Sequence, residues 1–162
     1  MSYKGGYMKI KLFSELTENE VKFIAETNYT YWKKYNPILD YNQSVGNILA
    51  MKHNIDKLPL GVAILENDKI IGFCTLRENR LQKHLDINPW LCNLMIFDGF
   101  RGNGYASKMI DFACEKFKSF GYSKIYAWTD QVPEFYEKHG WRHEGKVTKN
   151  EGGEGILFSK EI

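Results

Sequence analysis

Cysteine and proline are scarce in this 162-residue chain, at three and four residues. Cys74, Cys92 and Cys114 are odd in number and sit inside apolar runs. Their spacing matches neither a zinc site nor a disulfide framework, so reduced thiols in a cytoplasmic protein are expected and no metal is called for. Charge of one sign is also lacking: 22 basic residues face 20 acidic ones, for a net charge of +2. That balance gives no argument for nucleic acid or an anionic membrane as partner. No apolar run approaches the ~18 residues of a membrane span. The start, Met1 to Tyr7, is polar and glycine-containing, unlike a secretory leader. Repeats, low-complexity tracts and dividing linkers are absent. A single domain over residues 1–162 is expected.

What is present is a well-patterned globular sequence, 43% apolar and 26% charged. Residues 8–13 alternate and predict a strand. Thr17-Glu-Asn-Glu20 has the form of a capping box. The helix after it carries Val21, Ile24, Ala25 and Trp32 on one face and should end near Asn36-Pro37. A second helix is expected over about 43–53, with Val45, Ile48, Leu49 and Met51 inward. Leu60–Glu66 and Lys69–Leu76 predict two strands joined by Asn67-Asp68, a hairpin signal. Residues 77–89 are polar and irregular. Trp90–Phe97 is almost wholly apolar and predicts a central strand buried on both faces.

A Gly-rich stretch, Asp98–Gly104, leads into a helix over about 104–119. Ala106, Ile110, Ala113 and Phe117 form its inward stripe, and Gly121 suits its end. Ser123–Thr129 predicts a strand, and Pro133 fits the first turn of a short helix reaching His139. Strands near 141–147 and 154–160 close the chain. The order β-αα-βββ-α-β-α-ββ is that of an α/β (α+β) protein with a mixed sheet and helices packed on it.

A buried strand, a glycine turn and a helix start make a general anion site. Helix-start N–H groups point outward and the helix dipole adds positive charge. Glycines let phosphate oxygens approach the backbone, and Arg101 adds a planar cation. A nucleoside-triphosphate loop needs GxxxxGK[ST]. Gly99 and Gly104 have the spacing, but Tyr105 and Ala106 stand where lysine and the hydroxyl residue belong. A dinucleotide loop needs GxGxxG early in a βαβ unit. Here Gly102-Asn-Gly104-Tyr-Ala-Ser107 ends in serine and follows several elements. The third pattern, [Arg/Gln]-x-x-Gly-x-[Gly/Ala], is matched in full by Arg101-Gly102-Asn103-Gly104-Tyr105-Ala106.

That loop resembles the coenzyme A loop of the GNAT superfamily of N-acetyltransferases. Pro133-Glu-Phe-Tyr-Glu-Lys-His-Gly-Trp141 looks like a second motif of the family, A-x-x-[FW]-Y-x-x-x-G-[FW]. Motif-level likeness covers about residues 88–143, and the element order matches over the whole chain. There are two departures. Asp98 stands three residues before Arg101, where the family often has proline. Thr129, followed by Asp130, stands seven before Tyr136, where it often has asparagine.

The resemblance implies a single-domain fold with about seven strands and four helices. A cofactor cleft would be splayed between the fourth and fifth strands. It implies acetyl-CoA as co-substrate, its pyrophosphate on Arg101, Gly102, Asn103, Gly104, Tyr105, Ala106 and Ser107. The pantetheine arm would pair with the main chain of Leu94, Met95 and Ile96. An N–H near Asn93 or Leu94 would meet the thioester oxygen. Tyr136 is a candidate general acid, since a phenol is protonated at neutral pH. A packed aromatic is the competing reading, because one ring of Phe135 and Tyr136 should face the core. Glu78 is the candidate base, with Asp86 and His84 as other options. Cys92, in an apolar strand, reads as inert.

Tyr29 and Trp32 belong to an aromatic group with Tyr31, Tyr35 and Tyr41, which could hold a cationic amine or serve as cover for the core. The 77–89 segment is either a lid or an ordinary crossover. The expected acceptor is a small-molecule or peptide amine, and a homodimer stays open. A non-catalytic acyl-CoA-binding or sensing module is the alternative to an enzyme.

Overall fold

The computed structural model describes residues 7–162. The segment read above as unlike a leader lies, for residues 1–6, outside them. In chain order the elements are β1 (Met8–Leu12), α1 (Glu18–Lys33), α2 (Tyr41–Ala50), β2 (Leu60–Glu66), β3 (Lys69–Arg77), β4 (Trp90–Ile96), α3 (Tyr105–Ser119), β5 (Lys124–Thr129), α4 (Pro133–Lys138), β6 (Arg142–Thr148) and β7 (Glu154–Glu161). The strand order is β1-β2-β3-β4-β5-β7-β6. A mixed sheet of seven strands with four helices, as the element order implied, is thus present among the described residues. The chain forms two compact units. One runs to Thr75 and adds Asn93–Met109; the other holds Leu76–Cys92 and Ile110–Ile162.

In the first unit, local chemistry sets the helix starts. Thr17 Oγ1 accepts from Glu20 N at 3.2 Å, and Glu20 Oε1 accepts from Thr17 N at 2.9 Å. This is the capping box. α1 buries Val21, Ile24, Ala25 and, unexpectedly, Asn28. Trp32, one turn later and next to the helix end, is only half-buried. Regular helix stops at Lys33, with Tyr35 and Asn36 still donating to the Trp32 carbonyl. α2 begins two residues before the expected 43, because Asp40 Oδ1 accepts from Gln43 N at 2.7 Å and caps it. Residues 51–53 are a 3-10 turn, not helix.

β1 and β2 pair antiparallel from Met8↔Glu66 to Leu12↔Val62. Asn67 and Asp68 have φ of +50° and +64°, the signature of a type I′ turn. Phe13, Ile24, Ile48, Met51, Leu65 and Phe73 are at the centre of the apolar cluster. Each such side chain contributes about 1.5–3 kcal/mol by burial. Glycines permit two close approaches. A Cβ on Gly61 would overlap the Phe13 ring, and one on Gly72 would fall 2.5 Å from the Met95 carbonyl oxygen.

In the second unit, β7 is paired antiparallel on both sides. β5 lies against it from Lys124↔Glu161 to Thr129↔Ile156, and β6 from Arg142↔Ser159 to Thr148↔Glu154. A bulge between His143 and Gly145 shifts the β6 register, leaving Glu144 free to accept from Ser159 Oγ at 2.6 Å. β4 joins β5 in parallel at Trp90↔Tyr126. Leu81, Trp90, Cys92, Val147 and Leu157 form this unit's cluster.

The irregular 77–89 segment is pinned rather than loose. Leu81 is buried, the Asn150 side chain bridges Gln82 N and the Arg80 carbonyl, and His84 Nε2 accepts from Thr148 N at 2.9 Å. α3, which the two units share, buries Tyr105, Met109, Ile110, Ala113, Cys114 and Phe117. Ala106, expected on that stripe, is half-buried, because the buried face starts at Tyr105.

Candidate functional site

The loop between β4 and α3 is shaped by glycine. Gly99, Gly102 and Gly104 have φ of +88°, +80° and +78°, values an L side chain rarely adopts. A Cβ on any of them meets nothing within 4 Å. These glycines therefore serve backbone conformation and not packing. Arg101, Gly102, Asn103 and Gly104 are all exposed. Arg101 Nε donates to the Ile96 carbonyl at 2.8 Å, and its Nη1 pairs with Asp98 at 2.9 Å. The carboxylate that stands in place of the family's proline thus has a definite partner. Asn103 Nδ2 donates to the Phe100 carbonyl at 3.1 Å. Tyr105 anchors the helix start from inside, its hydroxyl 2.6 Å from Glu66 Oε1. Ser107 is half-buried one turn on.

β4 departs from the fully buried strand expected of it. Trp90–Cys92 are buried, but Asn93, Leu94 and Met95 are only half-buried, and Ile96 returns inside. The change begins at Asn93, whose φ is +55°. A left-handed residue breaks the alternation of an extended strand. Asn93 is held by side chains on both sides. Thr75 Oγ1 donates to its Oδ1 at 2.8 Å, and its Nδ2 donates to Asn28 Oδ1 at 3.0 Å.

The aromatic residues at the end of α1 mostly stack on one another. Tyr29 meets Tyr41 edge-on at 5.1 Å, and Tyr31 meets Trp32 at 5.0 Å. Lys33 lies 5.8 Å from the Tyr29 ring centre and donates to the Pro37 and Leu39 carbonyls. One cation–π position on this surface is therefore filled by the chain itself. Trp32 Nε1 and Asn36 Oδ1 are buried without a hydrogen-bond partner.

In the second unit, Tyr136 is the ring of its pair that faces inward, at 8% exposure. It stacks on Phe158 at 5.3 Å and meets Trp141 edge-on at 5.3 Å. Phe135 is half-buried and lies 4.2 Å from His139, centroid to centroid. Thr129 Oγ1 accepts from Gln131 N and Val132 N, forming the turn into α4. Asp130 pairs with Lys149 at 2.8 Å. Thr129 and Asp130, at the place of the family's asparagine, are thus both engaged within the chain.

Glu78, just past β3, is exposed, and so is Asp86. Burial, and secondarily the Glu78 charge, pushes the Tyr122 hydroxyl above its ordinary pKa. Burial also raises the Cys92 thiol, although Arg80 and Arg77 pull the other way. A thiol raised in this manner is a poor nucleophile at neutral pH.

Sequence reasoning missed Asn28. A polar residue in the middle of a helical apolar stripe was the available signal. No described cluster of His, Cys, Asp or Glu could hold a metal ion, and no described helix is long and apolar enough to cross a membrane.

The Acetyltransferase (GNAT) family model matches residues 20–141, most of the chain and both motif regions. The chain belongs to this family of acetyltransferases. Solved structures repeat the fold at low identity. An aminoglycoside 6'-N-acetyltransferase complexed with coenzyme A superposes with a TM-score of 0.73 at 16% identity, over 94% of this chain and 96% of its own. An aminoglycoside 6'-N-acetyltransferase from Enterococcus faecium gives 0.70 at 17%, over 94% and 96%. PaiA N-acetyltransferase from Thermoplasma acidophilum, in complex with coenzyme A, gives 0.68 at 16%, over 96% and 99%. No curated protein matches the sequence.

Proposed function

We propose that the chain transfers the acetyl group of acetyl-CoA to a primary amine, by direct attack within a ternary complex. The observation that carries this reading is the Arg101–Ala106 loop. Left-handed glycines stand at Gly102 and Gly104 before a fifteen-residue helix, and Arg101 stands beside them with its Nε already anchored. This arrangement fits a pyrophosphate, with Arg101, Gly102, Asn103, Gly104, Tyr105, Ala106 and Ser107 as its cradle. Neighbours in fold that bind coenzyme A support the same choice.

The main chain of Leu94, Met95 and Ile96 then receives the pantetheine amides, as an added strand would. A main-chain N–H at Asn93 or Leu94 donates to the thioester oxygen and to the oxyanion that follows. The amine lone pair attacks the carbonyl carbon, and the carbon–sulfur bond breaks. The departing thiolate takes its proton from Tyr136. The proton lost by the attacking amine goes to Glu78, directly or through water. Tyr29 and Trp32 line the acceptor side. A small-molecule amine is the acceptor class that the aminoglycoside-modifying neighbours favour.

Parallel thermal shifts with acetyl-CoA, coenzyme A, ATP and NAD test the cofactor. At 100 times Kd, binding adds about 2.7 kcal/mol of stability. Stabilisation by ATP or NAD and not by coenzyme A would sink the proposal. An amine panel with thiol-release detection then separates an enzyme from a binding module.

A further inference from the structure

Three polar side chains in the first unit form a chain of hydrogen bonds across β4. Thr75, fully buried on β3, donates to Asn93, and Asn93 donates to Asn28, which is 95% buried in the middle of α1. The three residues lie 18 and 65 positions apart in sequence. Buried amides of this kind are costly unless partnered, so a plain packing role would be met more simply by apolar residues.

What the chain of bonds holds is an unusual backbone. Asn93 sits at a φ of +55° inside a strand, a conformation that asparagine tolerates better than most residues but that still costs energy. The two side-chain bonds fix it there. A left-handed residue interrupts the regular alternation of the strand, and Leu94 and Met95 lose burial directly after it.

We propose that Asn28 is a positioning residue for acetyl transfer. Through the Asn93 side chain it fixes the left-handed turn in β4, and so aims the main-chain donor that meets the thioester oxygen. This inference rests on the acetyl-CoA reading given above. Asn28 touches neither the cofactor nor the reacting atoms in this role. It acts on the direction of an N–H, and its effect belongs on the acetyl group and not on the pyrophosphate.

The test compares wild type with Asn28→Leu, Asn28→Asp, Asn93→Gly and the Asn28→Leu/Asn93→Gly double variant. Coenzyme A and acetyl-CoA affinities are measured by calorimetry, and turnover by thiol release with the best acceptor of the amine panel. Backbone 15N shifts at residues 93 and 94 report the turn itself. Asn28→Leu is expected to lower kcat about ten- to a hundredfold, less than the outright loss of an oxyanion donor, because the N–H is misaimed and not removed. Its coenzyme A affinity should stay within about twofold, because the pyrophosphate loop is untouched.

Asn28→Asp keeps a side-chain oxygen, now a carboxylate, as acceptor for Asn93 Nδ2 and should recover most of the lost turnover. Glycine adopts the left-handed turn unaided, so in the Asn93→Gly background Asn28→Leu should add little. Should Asn28→Leu fail to fold, Asn28→Asp and Asn93→Gly still report on the turn through their shifts and kcat. Unchanged kcat in Asn28→Leu, or equal losses in kcat and in coenzyme A affinity, would overturn the positioning role alone. A wild-type protein that binds no acetyl-CoA would overturn the functional reading, and this role with it.

Discussion

Arg101 and Asp98 form an ion pair within the β4–α3 loop, Nη1 to Oδ1 at 2.9 Å. Both side chains are largely exposed, at 62% and 93%, so the pair contributes at most about 1 kcal/mol. Arg101 does not depend on it, because its Nε is bonded to the Ile96 carbonyl. If the loop holds a pyrophosphate as proposed, Asp98 competes with it for Arg101. Asp98→Asn should tighten acetyl-CoA binding by up to about fivefold. Arg101→Ala should weaken it by about tenfold or more, with a smaller salt dependence. Calorimetry at two ionic strengths measures both. Weaker binding by Asp98→Asn would mean that the carboxylate supports the loop.

Gly72 and Met95 test how tightly β3 is fitted against the site strand. A Cβ at position 72 would lie 2.5 Å from the Met95 carbonyl oxygen and 2.8 Å from Ile96 Cδ1. The oxygen is main chain and cannot swing aside. Gly72→Ala should therefore cost about 1–3 kcal/mol, seen as a lower urea midpoint at constant m-value. Gly46→Ala is the control. It lies inside α2, has open space around it, and should stabilise by about 0.5–1 kcal/mol. Equal midpoints for the two variants would contradict this account.

Much of the fold is legible in the chain because its signals are local. The Thr17–Glu20 capping box, the Asn67-Asp68 hairpin and the glycines of the loop each act within a few residues, and each stands where local chemistry puts it. Expectation and structure part where a distant partner decides. The apolar run Trp90–Phe97 predicts burial throughout, but Asn93 turns left-handed on bonds to Thr75 and Asn28, which no apolar pattern encodes. Asp98 departs from the family pattern for a local reason instead, its ion pair with Arg101 three residues on. Asp40, capping α2, escapes notice for the opposite reason: it lies just before the apolar repeat, and the repeat alone does not reach it.

Tyr136 offers a clean separation of hydroxyl from ring. The ring is packed between Phe158 and Trp141, so Tyr136→Phe removes only the oxygen. Acetyl-CoA affinity should hold and stability should fall by no more than about 1.5 kcal/mol, the scale of one hydrogen bond, while turnover falls about 10²- to 10⁴-fold if the hydroxyl is the general acid. Tyr136→Ala should instead cost about 3–5 kcal/mol of stability, as loss of a buried ring does. Unchanged turnover in Tyr136→Phe would reduce this residue to its packing role.

Cys92 lies next to Asn93 in the strand proposed to hold the pantetheine arm, and a covalent acyl-enzyme route would pass through it. Burial lifts its pKa above the ordinary thiol value, and the opposing pull of Arg80 and Arg77 does not reverse this. The thiol is therefore protonated at neutral pH. Cys92→Ala should keep turnover within a few fold, and iodoacetamide should leave Cys92 unlabelled in the native protein at pH 7. The same burial fixes a sign for stability. The folded state holds this proton to higher pH than the unfolded chain does. Its contribution is complete below the unfolded thiol pKa and is lost as pH rises through the folded one. Wild type should accordingly lose more stability than Cys92→Ala between pH 8 and pH 10, by at most about 2.7 kcal/mol over that interval. Parallel urea titrations at the two pH values decide it, and a wild type that gains on the variant as pH rises would contradict the assignment.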